Sequence, residues 1–413
     1  DKTNSGSSGT VTVSFLNSFY GVSSNIGNAS LSQSVFETSQ EYFSPNDLQD
    51  FQERYNLPVQ TAEAPYGYTT TDCVTNDCYE GNLDVQYIMG MAQATTTIYW
   101  YTASGPEDPF VQWITDVVDD PNPPQANSIS WGTVEQSVSS SVLKSFNDEA
   151  LKATSLGITI TVSSGDDGVA SAANYCDAYS GSETSPEWNG AAWKGKGYFP
   201  SFPATCPYVV AVGATQGPED GDPEITCQSN LGGVITSGGG FSTYFSTPDH
   251  QKKAVKLYLN QVLDTPQQPY PGFNLNGRAY PDVAMIGVAY EVVVQGKVTL
   301  LYGTSASSPV FASFVSLTNA VRAQTGRSPI GFINPTLYYY GYQSYAKYND
   351  VTSGENNCVA YSGPDPDKAT CCNSGFYATT GWDPATGWGS IQYSQFKKVF
   401  TYEPSEDTAD ALW

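Results

Sequence analysis

The stretch LYGTSASSP at residues 301–309 decides how we interpret this chain. It follows a strand-like apolar run at 297–301 and precedes a second apolar segment, so the pattern predicts a strand, a tight turn and a helix. Gly303 lets the turn approach a ligand closely, and we expect Pro309 in the first helical turn, where proline is tolerated. Ser305 would then have its hydroxyl beside free helix N–H groups. The stretch predicts either a nucleophilic serine or a serine-rich helix cap.

Strand-like and helix-like patterns alternate through the middle of the chain. Strand patterns lie at 95–101, 128–132, 158–162 and 208–213, and helix patterns at 79–94, 109–118 and 139–155. This alternation is typical of βαβ units, in which helices cover a parallel sheet. No internal repeat or long linker divides the 413 residues, so the sequence predicts an α/β fold in a single large domain covering residues 1–413.

The charge composition excludes several classes of partner. The chain has 17 Lys and Arg against 41 Asp and Glu, which gives a formal net charge of −24. Nucleic acids and anionic membranes would repel such a protein. A chain with few cations has few ion pairs to lose when carboxylates become protonated, and its self-repulsion falls towards its pI near 4.1. The composition therefore indicates tolerance of acid.

The cysteine content and one sequon indicate a secreted protein. Eight cysteines allow up to four disulfides. The cysteines that we consider are Cys73 and Cys78 in a small loop, Cys176 and Cys206 in an irregular stretch, and Cys358, Cys371 and Cys372 near the C-terminus. Asn28 begins an N-x-S sequon, whose occupancy we leave open. The polar start of the chain resembles a mature N-terminus, so we expect a prosegment before maturation.

Carboxylates are the candidate bases for Ser305. His250 is the only histidine, and we interpret it as a surface residue because no catalytic sequence setting surrounds it. Glu80 and Asp84 are four residues apart on a helix pattern, which places both on one face. Asp166 follows the strand pattern at 158–162, at the sheet edge where α/β ligand sites gather. A desolvated carboxylate can accept a serine proton and can do so in acid.

At this point the chain resembles the sedolisins, or serine-carboxyl peptidases. The resemblance rests on EGNLDVQY at 80–87, SGD at 164–166, SGGGFS at 237–242, RAYPDV at 278–283, GTSAS at 303–307 and GWDPATGWG at 381–389. Each motif alone is weak, but their common order over nearly the whole chain is specific. The resemblance implies a subtilisin-like parallel sheet flanked by helices, with a calcium-site region towards the C-terminus.

The resemblance also implies roles for individual residues. It makes Ser305 the nucleophile, Glu80 the general base, Asp84 the carboxylate that orients the base, and Asp166 the oxyanion-hole acid. Asp166 must be protonated to donate a hydrogen bond, which is a physical reason for activity at low pH. Asp167 stands where the family often has serine, and it adds a charge beside Asp166.

Further residues match the family by position. Glu37 and Trp131 match an extension of the hydrogen-bond chain in some members. The calcium ligands implied by the resemblance are the side chains of Asp350 and Asp383 and the carbonyls of Val351, Thr379 and Gly381. Calcium takes hard oxygen ligands of this kind. Thr379 replaces a common glycine, which matters little for a carbonyl ligand.

Two classes of function remain open from sequence. The first is a secreted, acid-acting peptidase that acts on peptides or unfolded proteins. Its motifs favour a tripeptidyl-peptidase, and an endopeptidase is the alternative. The second is a secreted, non-catalytic binding protein whose aromatic residues (13% of the chain, with 29 Tyr and 8 Trp) line a groove. We expect a monomer in either case.

Overall fold

The computed structural model describes residues 9–65, 68–105, 107–170, 197–343, 348–373 and 375–401. Cys176 and the polar start of the chain, both considered above, lie outside these ranges. Within them, no helix is long and apolar enough to span a membrane.

The described helices and strands follow the order expected from sequence. The helices are α1 (Val13–Tyr20), α2 (Pro45–Arg54), α3 (Tyr79–Met91), α4 (Pro109–Asp119), α5 (Ser140–Ser155), α6 (Lys252–Val262), α7 (Thr304–Gln324), α8 (Asn334–Gln343) and α9 (Tyr393–Thr401). The strands are β1 (Ser32–Glu37), β2 (Thr96–Tyr101), β3 (Ala126–Ile129), β4 (Thr133–Val134), β5 (Thr159–Ser163), β6 (Ser201–Phe202), β7 (Val210–Gln216), β8 (Ile225–Thr226), β9 (Gly240–Ser246), β10 (Gly277–Tyr280), β11 (Val283–Ile286), β12 (Tyr290–Val294), β13 (Lys297–Leu301), β14 (Tyr348–Asn349) and β15 (Ser390–Ile391).

The central sheet is parallel and has the strand order β11-β7-β5-β3-β1-β2. The short strand β8 pairs antiparallel with β7 at one end. Helices α3, α4, α5 and α7 supply the crossovers and the cover that such a sheet needs. The prediction of a parallel sheet flanked by helices, with a subtilisin-like arrangement, is confirmed.

Helix α7 is the centre of the structure and packs against β1, β3, β5, β7 and β11. All its residues from Thr304 to Ala320 are buried, so its hydroxyl groups need partners inside the protein. The Ser308 hydroxyl lies 2.9 Å from those of Ser128 on β3 and Thr161 on β5. The Ser307 hydroxyl donates to the Met285 carbonyl on β11 at 3.1 Å. These bonds fix the start of α7 against the sheet, which explains the run of small hydroxyl residues.

Two predicted positions near Ser305 were wrong. Pro309 lies inside α7, because the helix already begins at Thr304. A proline there leaves the Ser305 carbonyl without its usual helical donor, and the Ser130 hydroxyl approaches that carbonyl at 3.4 Å. The strand predicted at 128–132 ends at Ile129, so Ser130 leaves the sheet and reaches α7.

The prediction that the cysteines form disulfides is confirmed. Cys73–Cys78 and Cys358–Cys371 are bonded, and Cys372 is also in a disulfide. Cys206 and Cys227 are free, buried thiols, so four disulfides do not form. Pairing depends on which cysteines the fold brings together, and spacing in the chain does not determine that.

Aromatic residues mostly fill the interior. Trp100, Trp113 and Tyr258 are among the largest fully buried side chains. The aromatic content is therefore explained in large part by the core. His250 is also not the surface residue that we predicted, because its ring lies between Phe332 and Tyr338, at 5.9 and 5.1 Å between ring centroids. Burial lowers the pKa of His250 to about 4, so the ring is neutral in mild acid.

Candidate active site

Helix α3 is fixed by hydrogen bonds on the face opposite Glu80 and Asp84. The Gln86 side chain donates to the Val293 carbonyl at 2.8 Å and accepts from the Val293 N–H at 2.9 Å. The Asn82 side chain accepts from the Ser44 N–H at 2.8 Å. These contacts fix the rotation of α3 and so direct Glu80 and Asp84 towards the start of α7.

Ser305 lies in the first turn of α7, between Glu80 and Ser130. Its hydroxyl donates to the Ser130 carbonyl at 3.3 Å. Burial is the main cause that raises the pKa of Glu80 to about 8, whereas the contact of Glu80 with the Ser305 hydroxyl acts to lower this pKa. One Glu80 oxygen, Oε1, is buried without a hydrogen-bond partner in the described protein. The nucleophile candidate and the base candidate are therefore neighbours, and the base retains an open acceptor.

Asp84 lies one helical turn beyond Glu80 and is fully buried. Its Oδ2 accepts from the Ser130 hydroxyl at 2.7 Å, whereas its Oδ1 has no partner among the described residues. Burial and then repulsion from Glu80 raise the pKa of Asp84 well above its usual range. A proton held on this pair would supply the missing donor, since a protonated carboxyl can donate to its neighbour.

Glu37 and Trp131 extend this cluster. The Trp131 indole N–H donates to Glu37 Oε2 at 2.7 Å. Glu37 is fully buried at the end of β1, and burial followed by repulsion from Asp84 raises its pKa well above the usual range. Glu37, Asp84 and Glu80 repel one another, so they form one cluster of interacting carboxyls, and Trp131 donates to its outermost member.

Asp166 approaches the same corner from the end of β5. Its Oδ1 accepts from the Thr304 N–H and from the Thr304 hydroxyl, both at 2.8 Å. The Thr304 hydroxyl accepts in turn from the Gly165 N–H at 3.1 Å. Burial raises the pKa of Asp166, and the charge of Asp167 acts in the same direction. Asp167 therefore favours the protonated form of Asp166.

Ser305 and Asp166 open onto one cavity of about 240 Å³. The residues around it are Ser130, Trp131, Gly132, Thr133, Val134, Ser163, Gly165, Asp166, Asp167, Gly168, Ser201, Thr304 and Ser305. His250 is not among them. The cavity brings together hydroxyl groups, backbone groups and carboxyls, which is a set suited to acyl transfer without imidazole.

The predicted calcium ligands lie together, although among the described residues no three acidic, His or Cys side chains form a metal-binding group. Asp350 Oδ2 accepts from the Gly381 N–H, and Asp383 Oδ2 from the Thr379 N–H, both at 2.9 Å. No hydrogen bond between described residues ends on the carbonyls of Val351, Thr379 or Gly381. Burial raises the pKa of Asp383 to about 8, while hydrogen bonds from Thr379, Ala385 and Thr386 act to lower it. The donor set fits calcium.

Sequence reasoning missed Ser130 and Thr304 as parts of this site. Ser130 connects Asp84 to the backbone of Ser305, and Thr304 connects Asp166 to the helix start. Thr304 lies beside the serine in GTSAS and could have been considered from its position. Ser130 has no local sequence signal, because it meets Asp84 only through the fold.

Comparison with known proteins gives a consistent assignment. The sequence profile of the Subtilase family matches residues 78–354. The chain is 33% identical to tripeptidyl-peptidase 1 of Dictyostelium discoideum over 380 residues, which are 91% of this chain and 55% of that protein. It is 32% identical to tripeptidyl-peptidase 1 of Homo sapiens over 378 residues, which are 90% of this chain and 61% of that protein. The chain thus spans little more than half the length of these relatives.

A solved structure shares the fold. It is a Pseudomonas sedolisin (serine-carboxyl proteinase) complexed with two molecules of pseudo-iodotyrostatin, with a TM-score of 0.66 at 22% identity. The match covers 95% of this chain and 98% of that one. The resemblance to the sedolisins that the motifs indicate is confirmed.

Proposed function

Because the chain belongs to the subtilase family, we propose that it is a serine-carboxyl peptidase that hydrolyses peptide bonds through an acyl-enzyme on Ser305. The observation that carries this proposal is the convergence of four groups: Ser305 and Asp166 line one cavity that lacks the histidine, Glu80 contacts the Ser305 hydroxyl, and Asp84 interacts with Glu80. Three separate elements, α3, α7 and the end of β5, contribute these groups. A cap serine would need no such convergence of buried carboxyls.

The proposed reaction follows from the geometry. Ser305 Oγ attacks the carbonyl carbon of the scissile bond while Glu80 accepts its proton, and Asp84 orients Glu80. Protonated Asp166 and backbone N–H groups donate to the oxyanion of the tetrahedral intermediate. Glu80 then returns the proton to the leaving amine nitrogen, and the acyl-enzyme remains. Water, deprotonated by Glu80, attacks the ester and releases the acid, and the proton returns to Ser305.

The electrostatics support action in acid. Asp166 donates only while protonated, and burial raises its pKa. Glu80 must be ionised, and the repulsions that raise its pKa include those from Asp166 and Glu41. Protonation of Asp166 and Glu41 removes that repulsion, but burial is the larger cause of the raised pKa of Glu80 and remains. Acid pH therefore favours the protonated Asp166 that the mechanism needs.

Proteolysis of a denatured protein in mild acid tests the proposal. We expect fragments with the wild-type chain and a loss of at least ~10⁴-fold in rate with Ser305→Ala, because the nucleophile is removed. The variant should keep the wild-type Tm, since only one hydroxyl changes. Ser313→Ala, another buried hydroxyl on α7, is the matched control and should remain active. Full activity of Ser305→Ala would exclude Ser305 as the nucleophile.

Within this class we propose release of tripeptides from free N-termini. The support is similarity over most of this chain to relatives named tripeptidyl-peptidase 1. Mass spectrometry of products from one peptide, with its amine free or acetylated, tests this directly. Intact tripeptides from the free form alone are expected. Internal cleavage of the acetylated peptide would favour an endopeptidase, while binding of peptide without any cleavage would favour the non-catalytic alternative.

We also propose that Asp350 and Asp383, with the carbonyls of Val351, Thr379 and Gly381, hold calcium, which would stabilise the C-terminal region by neutralising a buried carboxyl. Chelation should lower the Tm, and Asp350→Asn should lower the Tm in calcium and remove the effect of chelator. An unchanged Tm on chelation would contradict the site.

The disulfides Cys73–Cys78 and Cys358–Cys371 support secretion, because such bonds persist in oxidising compartments.

A further inference from the structure

The N-terminus of α3, which carries Glu80, is capped only in part by its own segment: the Tyr79 N–H donates to Asp77 Oδ1 at 3.3 Å. The N-cap residue is Cys78, whose side chain makes no capping hydrogen bond. Its sulfur is bonded to Cys73 and is therefore committed elsewhere. The first N–H groups of a helix have no partner within the helix, so a buried start needs an acceptor from another segment.

Glu41 supplies that acceptor from the segment after β1. Its Oε1 accepts from the Gly81 N–H at 3.1 Å, and the residue is only 4% exposed. The Tyr99 hydroxyl on β2 donates to the Glu41 carbonyl at 3.0 Å and fixes its backbone. A Cβ on Gly81 would lie 2.2 Å from the Tyr42 carbonyl, so glycine is needed for this close approach. The two segments therefore fit together at the residue following Glu80.

We infer that Glu41 is a positioning residue for the general base: it caps α3 from outside and thereby fixes Glu80 against Ser305. The inference rests on the proposed function, since it assumes that Glu80 is the base. The Glu41 carboxyl contacts the backbone of Gly81, the residue that follows Glu80, so it would act through the position of Glu80.

The charges around Glu41 are all acidic. Asp77 precedes α3, and Glu80 lies in its first turn. Asp84 and Glu37 lie deeper in the same cluster, and the neighbouring carboxylates repel one another. Tyr99 is the remaining titratable group that faces it. Burial, above all, raises the pKa of Glu41 to about 7, against hydrogen bonds from Gly81 and Glu80 that lower it. Below that pH Glu41 is a neutral acid whose carbonyl oxygen can still accept from Gly81.

Two variants separate the acceptor from the charge. Glu41→Gln keeps a carbonyl oxygen in place and resembles the protonated acid, whereas Glu41→Met keeps the size but has no strong acceptor. Asp47→Asn is the matched control, because Asp47 is also a buried carboxylate that contacts α3, through Asn82 at 3.0 Å. Each variant is assayed for kcat and KM on one peptide from pH 3 to 8, together with its Tm.

We expect Glu41→Met to lower kcat at acid pH by about tenfold or more with KM unchanged, because Glu80 loses its fixed position. Glu41→Gln should keep kcat within about twofold and leave the acidic limb of kcat/KM in place, because Glu41 is already uncharged below about pH 7 and the amide oxygen still accepts from Gly81. Asp47→Asn should lower the Tm and leave the limb in place.

Wild-type kcat in Glu41→Met would overturn the inference. So would a loss of activity that follows the Tm equally in Glu41→Met and Asp47→Asn, because Glu41 would then only stabilise the fold. If Glu41→Met does not fold, Glu41→Asp replaces it, because its shorter side chain withdraws the acceptor from the Gly81 N–H, and wild-type kcat in that variant overturns the inference. A wild-type chain without peptidase activity would instead refute the proposed function, so the two failures are distinguishable.

Discussion

Asp282 and Asp84 are both fully buried, but their surroundings are opposite. Asp282 accepts from the Arg278 guanidinium at 2.6 Å, the Ala211 N–H at 2.8 Å, the Tyr338 hydroxyl at 2.9 Å and the Gln251 amide at 3.1 Å. Asp84 has a single donor and lies among other carboxyls. A carboxylate that stabilises a fold is neutralised and saturated, whereas the Asp84 cluster keeps open lone pairs and unbalanced charge, which proton transfer requires.

The largest expected effect is on Asp84. Asp84→Asn should lower kcat by about 10³-fold, because an amide cannot orient Glu80 as the carboxyl does. Its free energy of unfolding should stay unchanged or rise near neutral pH, since repulsion from Glu80 and Glu37 is removed. Single-turnover kinetics and chemical denaturation measure the two effects. A large loss of stability would mean that Asp84 resembles Asp282 after all.

Asp282→Asn should show the reverse pattern. The substitution leaves the buried Arg278 without its counter-charge, which costs about 3–5 kcal/mol of unfolding free energy. Activity per folded molecule should be unchanged, because the Asp282 carboxyl is committed to structural donors and not to the groups around Ser305. Denaturant midpoints with active-site titration provide the measurement, and Asp249→Asn, which removes an exposed ion pair near the same region, is the control.

Asp166 allows a finer test through pH. The acid must be protonated to donate, so activity should be lost as pH rises through its raised pKa. In Asp166→Asn the amide donates at every pH, and we expect the alkaline limb of kcat/KM to move upwards, with a rate lower by about 10²-fold at the acid optimum. An alkaline limb at its wild-type position would assign that limb to another group.

The smallest effect concerns stability and pH. The pKa of Glu80 is raised to about 8 and that of Glu41 to about 7 from a usual value of 4.5, so their stabilising contribution is complete below about pH 4.5 and lost as pH rises through 7 to 8. The Tm should therefore fall from pH 5 to pH 8. The Tm of Glu80→Gln should fall less steeply over the same pH range. Both should be measured in a Ser305→Ala background to prevent self-digestion, and parallel curves would contradict the raised pKa of Glu80.

Local patterns in the sequence predicted much of this molecule. Helical spacing placed Glu80 and Asp84 on one face, and the alternation of patterns predicted the parallel sheet. The bonds that complete the site connect distant segments: Ser130 is 46 residues from Asp84 and 175 from Ser305. No local pattern reports such a contact. The same reason explains the error at His250, whose surroundings are set by tertiary packing, and why the sequence left disulfide pairing open.

The buried thiols of Cys206 and Cys227 have a practical consequence. Burial raises the pKa of Cys206 to about 12 and that of Cys227 well above the usual range, so neither forms a reactive thiolate in the folded chain at neutral pH. Unfolding without reductant would release them while disulfides stay intact. Alkylation followed by intact-mass measurement would then give the fraction of unfolded molecules in a sample. The measurement needs no introduced label and does not depend on catalytic turnover.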